Sequence, residues 1–469
     1  MNQALYRGVT GAFLFLLAAN MIMANGFMLL RVPPVGPGIP INQIALMAGL
    51  MTIAIWGPKT YELEQTLPFM LLYGLWVLSI AQLIASVGEY GPWAIRDAAN
   101  VIESGFFVIG YCLSGDPRFR TWFFAWLGTL SVVVSLYTIL YPIGGELSQF
   151  VPWIPSLSGY YAPLLFSYVN ISSLAITSVC FLLLWGGGSR LVWLLCGLTL
   201  MVLIVFVQAR ITYLQLAFLM MLLAAFSPRD LLRLSVAGAI AMACIALFLS
   251  SGIQLPGRLG QSFTVEFLLS HVQAIWGGGG ADTRDAAEGV GLRLNWWLAI
   301  HQSMSESARQ WFFGLGYGMP LTSFRGTSDD VVREPHNSYV SIYGRLGAIG
   351  LLLFLGFLVS VMISTLRLIR ESQRSGDRQL FITAVTLACF FGVHLIYHMA
   401  EGGMEVSFIA VPFYSLAGVA VQLSRQNRGA QCTRVDLVKV PKDSEVTRTP
   451  SEGAGMSKGI GDRSSAGRS

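Results

Sequence analysis

The 469-residue sequence predicts an all-α polytopic membrane protein, and two observations carry that prediction. Hydrophobic residues make up 54% of the chain and charged residues only 12%, where a soluble domain carries roughly 25% charged residues. The apolar residues fall in repeated runs of about 16 to 24, the length that crosses a ~30 Å hydrocarbon core as a helix. This composition excludes an ordinary soluble enzyme. Lys+Arg 30 against Asp+Glu 25 leaves a net charge of +5, with no basic block among the apolar runs. No nucleic acid is therefore expected as a partner.

Taken in order, the runs predict about 12 transmembrane helices, at residues 8–30, 41–56, 66–86, 97–114, 121–142, 163–185, 190–207, 210–226, 232–250, 341–366, 379–399 and 404–424. The first run follows a single basic residue, Arg7, and is too long for a signal-peptide core. It also lacks an A-x-A cleavage site, so it reads as a retained span. Residues 191–226 are almost continuously apolar and, at about 1.5 Å per residue, too long for one crossing. The break falls at Gln208-Ala209-Arg210. Five of the six cysteines lie in apolar runs, Cys432 lies in the polar tail, and none is spaced CxxC. That usage predicts neither a disulfide nor a metal cluster.

Basic residues orient the chain. With a cytoplasmic N-terminus, the inner loops receive Lys59, Arg118, Arg120, Arg190, Arg229, Arg233 and the Arg367, Arg370, Arg374, Arg378 cluster, and the short outer loops receive little beyond Arg31 and Arg96. Both termini are then inside. The domain reading is residues 1–250 as helices one to nine, 251–340 as one large helical outer loop, 341–424 as the last three helices, and 425–469 as a disordered cytoplasmic tail, too poor in apolar surface to fold alone. A connection of the loop's length is uncommon unless it is functional. Within it Arg293, Trp297, Ile300 and Met304 recur at helical spacing, which predicts an amphipathic helix lying on the membrane face. A plain surface helix has the same pattern. Gly277 to Gly280 just before it form a flexible joint and not a phosphate loop, because no Lys-Ser/Thr follows.

Three polar residues are brought to the outer surface by this topology: Arg210 at a hairpin tip, Arg293 on the loop helix, and His336 in Glu334-Pro335-His336-Asn337-Ser338-Tyr339. An arginine at an interface can simply snorkel to lipid phosphate. Two fixed guanidiniums can instead hold a diphosphate through bidentate, charge-assisted hydrogen bonds. A histidine beside them can take a proton from a hydroxyl near neutral pH. The combination suits displacement of a lipid diphosphate by a sugar hydroxyl.

The run His336-Asn337-Ser338-Tyr339-Val340, continuing through Leu346-Gly347-Ala348-Ile349-Gly350-Leu351-Leu352-Leu353-Phe354, resembles the signature of the O-antigen ligase and polymerase superfamily. Arg293-Leu294-Asn295-Trp296-Trp297 followed by Phe313-Gly314-Leu315-Gly316-Tyr317-Gly318 is similar to the family's passage upstream of that motif, and Arg210 stands where the family has its hairpin arginine. The resemblance covers residues from about 205 to 365. It implies a fold of the lipid-sugar glycosyltransferase C type in the bacterial inner membrane. It implies metal-independent, cofactor-free transfer of a preassembled glycan from an undecaprenyl diphosphate donor at the periplasmic face. The acceptor is either lipid A core, as in an O-antigen ligase, or a growing polysaccharide, as in an O-antigen or exopolysaccharide polymerase. The ligase-like reading leads. By the same resemblance His336 is catalytic, Arg210 and Arg293 bind the lipid diphosphate, and Asn337, Tyr339 and Arg345 contact the glycan or acceptor. The sequence departs from the family pattern in flanking Arg210 with Ala209 and Ile211 in place of Ser and Gly, and in carrying Arg345. Arg345 has a second reading as an interfacial anchor.

Other signals carry less. His394 and His398 lie one turn apart with Glu401 nearby, but no HExxH pattern or third histidine accompanies them. A polar cavity lining is the default for such residues inside a span. Asp97, Asn100 and Ser104 share a helical face and either line a glycan cavity or pair with Arg96. His271 and His301 have no sequence partner. A polysaccharide transporter or flippase is the reading from another class, since twelve spans is a common transporter count. No internal repeat or mid-membrane ionisable cluster points to it.

Overall fold

The computed structural model describes residues 3–33, 38–56, 61–156, 159–186, 188–250, 284–323 and 332–438. The predicted joint at Gly277 to Gly280, His271 and the tail beyond residue 438 lie outside the described residues. The chain divides into Met1–Asn427 and Arg428–Ser469.

The described part of the first unit is almost wholly helical. Its principal helices are α1 (Gln3–Met28), α2 (Ile41–Trp56), α3 (Leu67–Tyr90), α4 (Ala99–Leu113), α5 (Pro117–Ile139), α6 (Ile171–Gly186), α7 (Arg190–Val207), α8 (Arg210–Phe226), α9 (Pro228–Ser250), α10 (Arg284–Met304), α11 (Ala308–Phe313), α12 (Ser338–Ser375), α13 (Arg378–Ala400) and α14 (Ser407–Asn427). Two antiparallel ribbons accompany them, Arg31–Val32 with Ile39–Pro40 and Trp153–Pro155 with Tyr161–Pro163.

By length and hydropathy this is a multi-pass membrane protein, with eight helices among the described residues long and apolar enough to cross a bilayer. These eight correspond to eight of the twelve expected spans. At the other four predicted places the apolar helices α2, α4, α6 and α8 are shorter than 18 residues. Local breakers explain two of them. α4 is interrupted at Ser104-Gly105, and α6 begins at Ile171 and not near residue 163 because Phe166, Tyr168 and Asn170 all have left-handed φ (67°, 50° and 62°).

α13 lies at the centre, packed on α12, α6 and α8, while α3 packs on α12 from outside. The apolar stretch of α14 is 94% buried, against 22% for α3. Phe15, Ile84, Leu191 and Leu352 are among the large apolar side chains left exposed around the bundle, a girdle that suits contact with lipid and not with water. Asp377 caps α13, accepting from Leu380 N at 3.0 Å, and pairs with Arg120 of α5. Burial pushes its carboxyl up, but the Arg120 bond and the helix N–H groups hold it below the ordinary value.

α12 is broken at Gly347, where φ is 69°. A break frees carbonyls one turn back, and those of Gly344 and Arg345 are taken by Leu315 N (2.8 Å) and Gly316 N (3.1 Å) of the loop after α11. The backbones approach so closely that a Cβ on Gly347 would lie 2.3 Å from Phe312 C, and one on Gly314 2.3 Å from Arg345 O. The glycines of the 314–318 run thus serve as a turn docked onto α12. α14 runs past the predicted end at residue 424 because Arg425 and Gln426 bond to the backbone of Glu62, Ser114 and Gly115.

Candidate functional site

Glu401, the residue that ends α13, joins the two principal sequence candidates. Its backbone N–H still bonds Tyr397 O at 2.9 Å. Its carboxylate takes Arg293 Nη2 at 3.1 Å on one oxygen and His336 Nδ1 at 3.1 Å on the other. Arg293 Nη1 donates to Ala400 O at 2.8 Å, a last-turn carbonyl with no helical partner, where a cation is favoured. The predicted loop helix is therefore present as α10, and its Arg293 ties it to the end of α13.

An ionised carboxylate only accepts, so His336 Nδ1 carries the proton and Nε2 is the acceptor nitrogen of the neutral ring. The imidazole is held from several sides. Trp296 of α10 stacks on it at 6.1 Å between centroids, and Trp297 Nε1 donates to Pro335 O at 2.9 Å. His336 itself adopts φ 51°, a conformation that persists only where its surroundings enforce it.

Burial pushes the Glu401 carboxyl up, but the His336 hydrogen bond and the charge and hydrogen bond of Arg293 outweigh it and hold the group below its ordinary value. A carboxylate depressed in the folded state contributes stability that is fully present above its unfolded value, near 4.3, and is lost as pH falls through the lower folded value. The thermal midpoint of the detergent-solubilised protein is thus expected to decline below about pH 4 more steeply in wild type than in Glu401→Gln. Equal slopes would remove Glu401 from the ionised cluster.

Behind His336 lies a buried ionic network. Asp97 takes Arg333 (Nη2 at 2.8 Å, Nε at 3.2 Å) and Arg345 Nη2 at 3.0 Å, and all three side chains are at most 5% exposed. Arg345 also donates to Glu334 at 2.9 Å and to Met319 O at 2.6 Å. Asn337 caps α12 by accepting from Tyr339 N and Val340 N, and its Nδ2 donates to Met399 O at 3.0 Å. Tyr339 Oη donates to Leu395 O at 3.0 Å. Asn337, Tyr339 and Arg345, expected to contact the glycan or acceptor, are bonded within the protein. Their polar groups face inward and fix the segment that carries His336. Arg345 is 2% exposed.

Glu405 receives Ser338 Oγ at 2.8 Å. Burial, with the charge of Glu334, pushes its carboxyl up to about 7 against the Ser338 and Ser341 hydroxyls. Asp97 is engaged by the two arginines, Ser104 accepts from Trp76 Nε1 at 2.6 Å, and Asn100 lines a cavity. His394 bonds Phe390 O at 2.8 Å and Asn170 at 3.0 Å, while His398 packs on Phe413. Among the described residues no group of three or more His, Cys, Asp or Glu side chains is placed to hold a metal ion. His301 stacks on Tyr343.

Two cavities meet at Glu401 and Tyr397. One, of about 610 Å³, is lined also by His336, Glu334, Asn100, Glu405 and Tyr160. The other, of about 440 Å³, is lined by Tyr141, Tyr168, Asn170, Ala209 and Ile211. Arg210 begins α8 between the last two, after Gln208 has turned the chain at φ 45°. The structure thus joins Arg293 and His336 through Glu401, and sets Arg210 between two wall residues of the neighbouring cavity. Sequence reasoning missed Glu401 as the bridge and Asp97, Arg333 and Glu334 as the support. Glu401 had a signal of its own, as an ionisable residue at the end of a span with no other apparent use.

The fold and site define a multi-pass membrane protein with an Arg–Glu–His cluster between two cavities. Compared with known families and curated proteins, the chain matches no family model and no curated protein.

Proposed function

We propose that the protein is a metal-independent glycosyltransferase of the bacterial inner membrane, O-antigen ligase-like. It moves a preassembled glycan from undecaprenyl diphosphate to an acceptor hydroxyl at the periplasmic face. The observation that carries this reading is the Arg293–Glu401–His336 cluster at the meeting of two cavities, one for each substrate. The twelve-crossing, glycosyltransferase C type architecture belongs to the same proposal. The short helices α2, α4, α6 and α8 stand where the sequence has its other apolar runs, and local thinning of the bilayer accommodates short spans.

In the proposed reaction the acceptor hydroxyl gives its proton to His336 Nε2, the nitrogen not bonded to Glu401. Its oxygen attacks the anomeric carbon as the bond to the diphosphate breaks, inverting that centre. The lipid diphosphate leaves with the electron pair, and Arg210 and Arg293 stabilise its charge. Glu401 holds the tautomer that leaves Nε2 free. Glu401→Gln is expected to reduce transfer about 10- to 100-fold, the equivalent of one charge-assisted hydrogen bond of ~1.5–3 kcal/mol. A single-turnover assay with the purified protein checks it, and full activity in the variant would remove Glu401 from the mechanism.

The test of the function is to delete the gene and follow lipid-linked intermediates, lipopolysaccharide and secreted polysaccharide. Bare lipid A core marks a ligase, and single repeat units with loss of long polymer mark a polymerase. Unchanged glycans overturn the reading in favour of transport. Truncation after Asn427 is expected to preserve complementation, because Arg425 and Gln426, which bond the end of the last apolar stretch to the bundle, are retained. Loss of function on truncation, with the protein still in the membrane, would argue for a scaffold.

A further inference from the structure

We propose that the 440 Å³ cavity contains a saccharide subsite, in which Asn170 and Tyr168 bind the sugar attached directly to the lipid diphosphate. The proposal rests on the glycosyltransferase reading above and goes beyond it by assigning the residues that read the donor sugar.

Phe166, Tyr168 and Asn170 alternate in the left-handed region, which residues other than glycine rarely enter. Such conformations cluster where a fold holds a ligand. Here they set Tyr168 and Asn170 into the cavity wall, just before α6.

The chemistry of Asn170 follows from its neighbour. His394 Nδ1 faces Phe390 O at 2.8 Å, and a carbonyl only accepts, so this nitrogen donates. The Nε2 of that neutral ring then accepts, and it takes Asn170 Nδ2 at 3.0 Å. The amide is thereby oriented, and its Oδ1 is left as an acceptor. Asn170 is 9% exposed, yet Oδ1 has no hydrogen-bond partner, and neither has the buried Tyr168 Oη. Buried polar atoms of this kind are costly unless something pairs with them.

An isoprenoid chain offers nothing to an amide oxygen and a phenol. A pyranose offers hydroxyl donors for both, and an apolar C–H face for the ring of Tyr141 in the same wall. The position selects the donor sugar. Ala209 and Ile211, on either side of Arg210, line this cavity, so a sugar here lies next to the arginine proposed to hold the diphosphate.

The experiment compares binding of undecaprenyl diphosphate with that of undecaprenyl diphosphate carrying one N-acetylglucosamine or one galactose, using the full-length protein in nanodiscs. The tighter of the two sugar-bearing lipids is expected to bind wild type about tenfold better than the plain lipid, as one ring contact and one or two hydrogen bonds allow. Asn170→Gly tolerates the left-handed backbone, and Tyr168→Phe keeps the packed ring. Each is expected to weaken the sugar-bearing lipid by roughly threefold or more while leaving the plain lipid unchanged. Equal binding of plain and sugar-bearing lipids, or variants that weaken both alike, overturns the subsite and leaves the diphosphate reading standing. If no lipid binds wild type, both fall.

Discussion

Replacing His336 with alanine is expected to reduce glycan transfer by about 100- to 10,000-fold, the usual contribution of a positioned general base, while the protein still accumulates in the membrane. The side chain is 40% exposed and contributes little to the core. Its loss removes one hydrogen bond to Glu401 and the stack on Trp296, contacts that the fold can forgo. The measurement is complementation of the deletion strain alongside a blot of the membrane fraction. Full rescue by the alanine variant would eliminate His336 as the base. A second substitution sharpens the result. His336→Gln retains a donor for Glu401 but offers no basic nitrogen, so it is expected to be as inactive as alanine.

Arg345→Met is expected to act on stability instead, costing on the order of 3–5 kcal/mol, the range for removing one partner of a buried ion pair. Arg345 answers two carboxylates, Asp97 at 3.0 Å and Glu334 at 2.9 Å, and the carbonyls of Gly316 and Met319. Methionine fills the space but leaves the carboxylates to Arg333 and the hydroxyl of Ser341. Thermal unfolding in detergent and the yield of monodisperse protein measure the effect. A variant of wild-type stability with impaired transfer would restore Arg345 as a glycan contact. Arg345→Lys is expected to rescue only in part, since an ammonium cannot reach two carboxylates and two carbonyls from one plane.

The helices were legible wherever apolar length and a capping residue coincided. The run at 379–399 is the helix Arg378–Ala400, started by Asp377, and the run at 341–366 begins at Ser338 because Asn337 caps it. The 163–185 run was misread because apolar residues in left-handed conformations carry no periodic signal that separates them from a helix. In the site, Arg293 and His336 were legible as residues but not as partners. The carboxylate that joins them is 108 positions from one and 65 from the other. The same distance in sequence hid the Asp97–Arg333 pair, 236 positions apart, and with it the inward direction of Arg345. Local patterning reports which face of a helix is apolar. It does not report which polar groups meet when distant helix ends are brought together.

The break at Gly347 divides α12 into a head, Ser338 to Leu346, bearing the site segment, and a shaft that crosses the lipid. The head is fastened to the turn after α11 by the two carbonyls that the break releases. A continuous rod would pass every change in tilt directly to His336, and tilt is how a helix answers a change in bilayer thickness. With a joint at the base of the head, the shaft can lean while the head stays with the loop. The Arg293–Glu401–His336 cluster is in this way insulated from the tilt of the shaft.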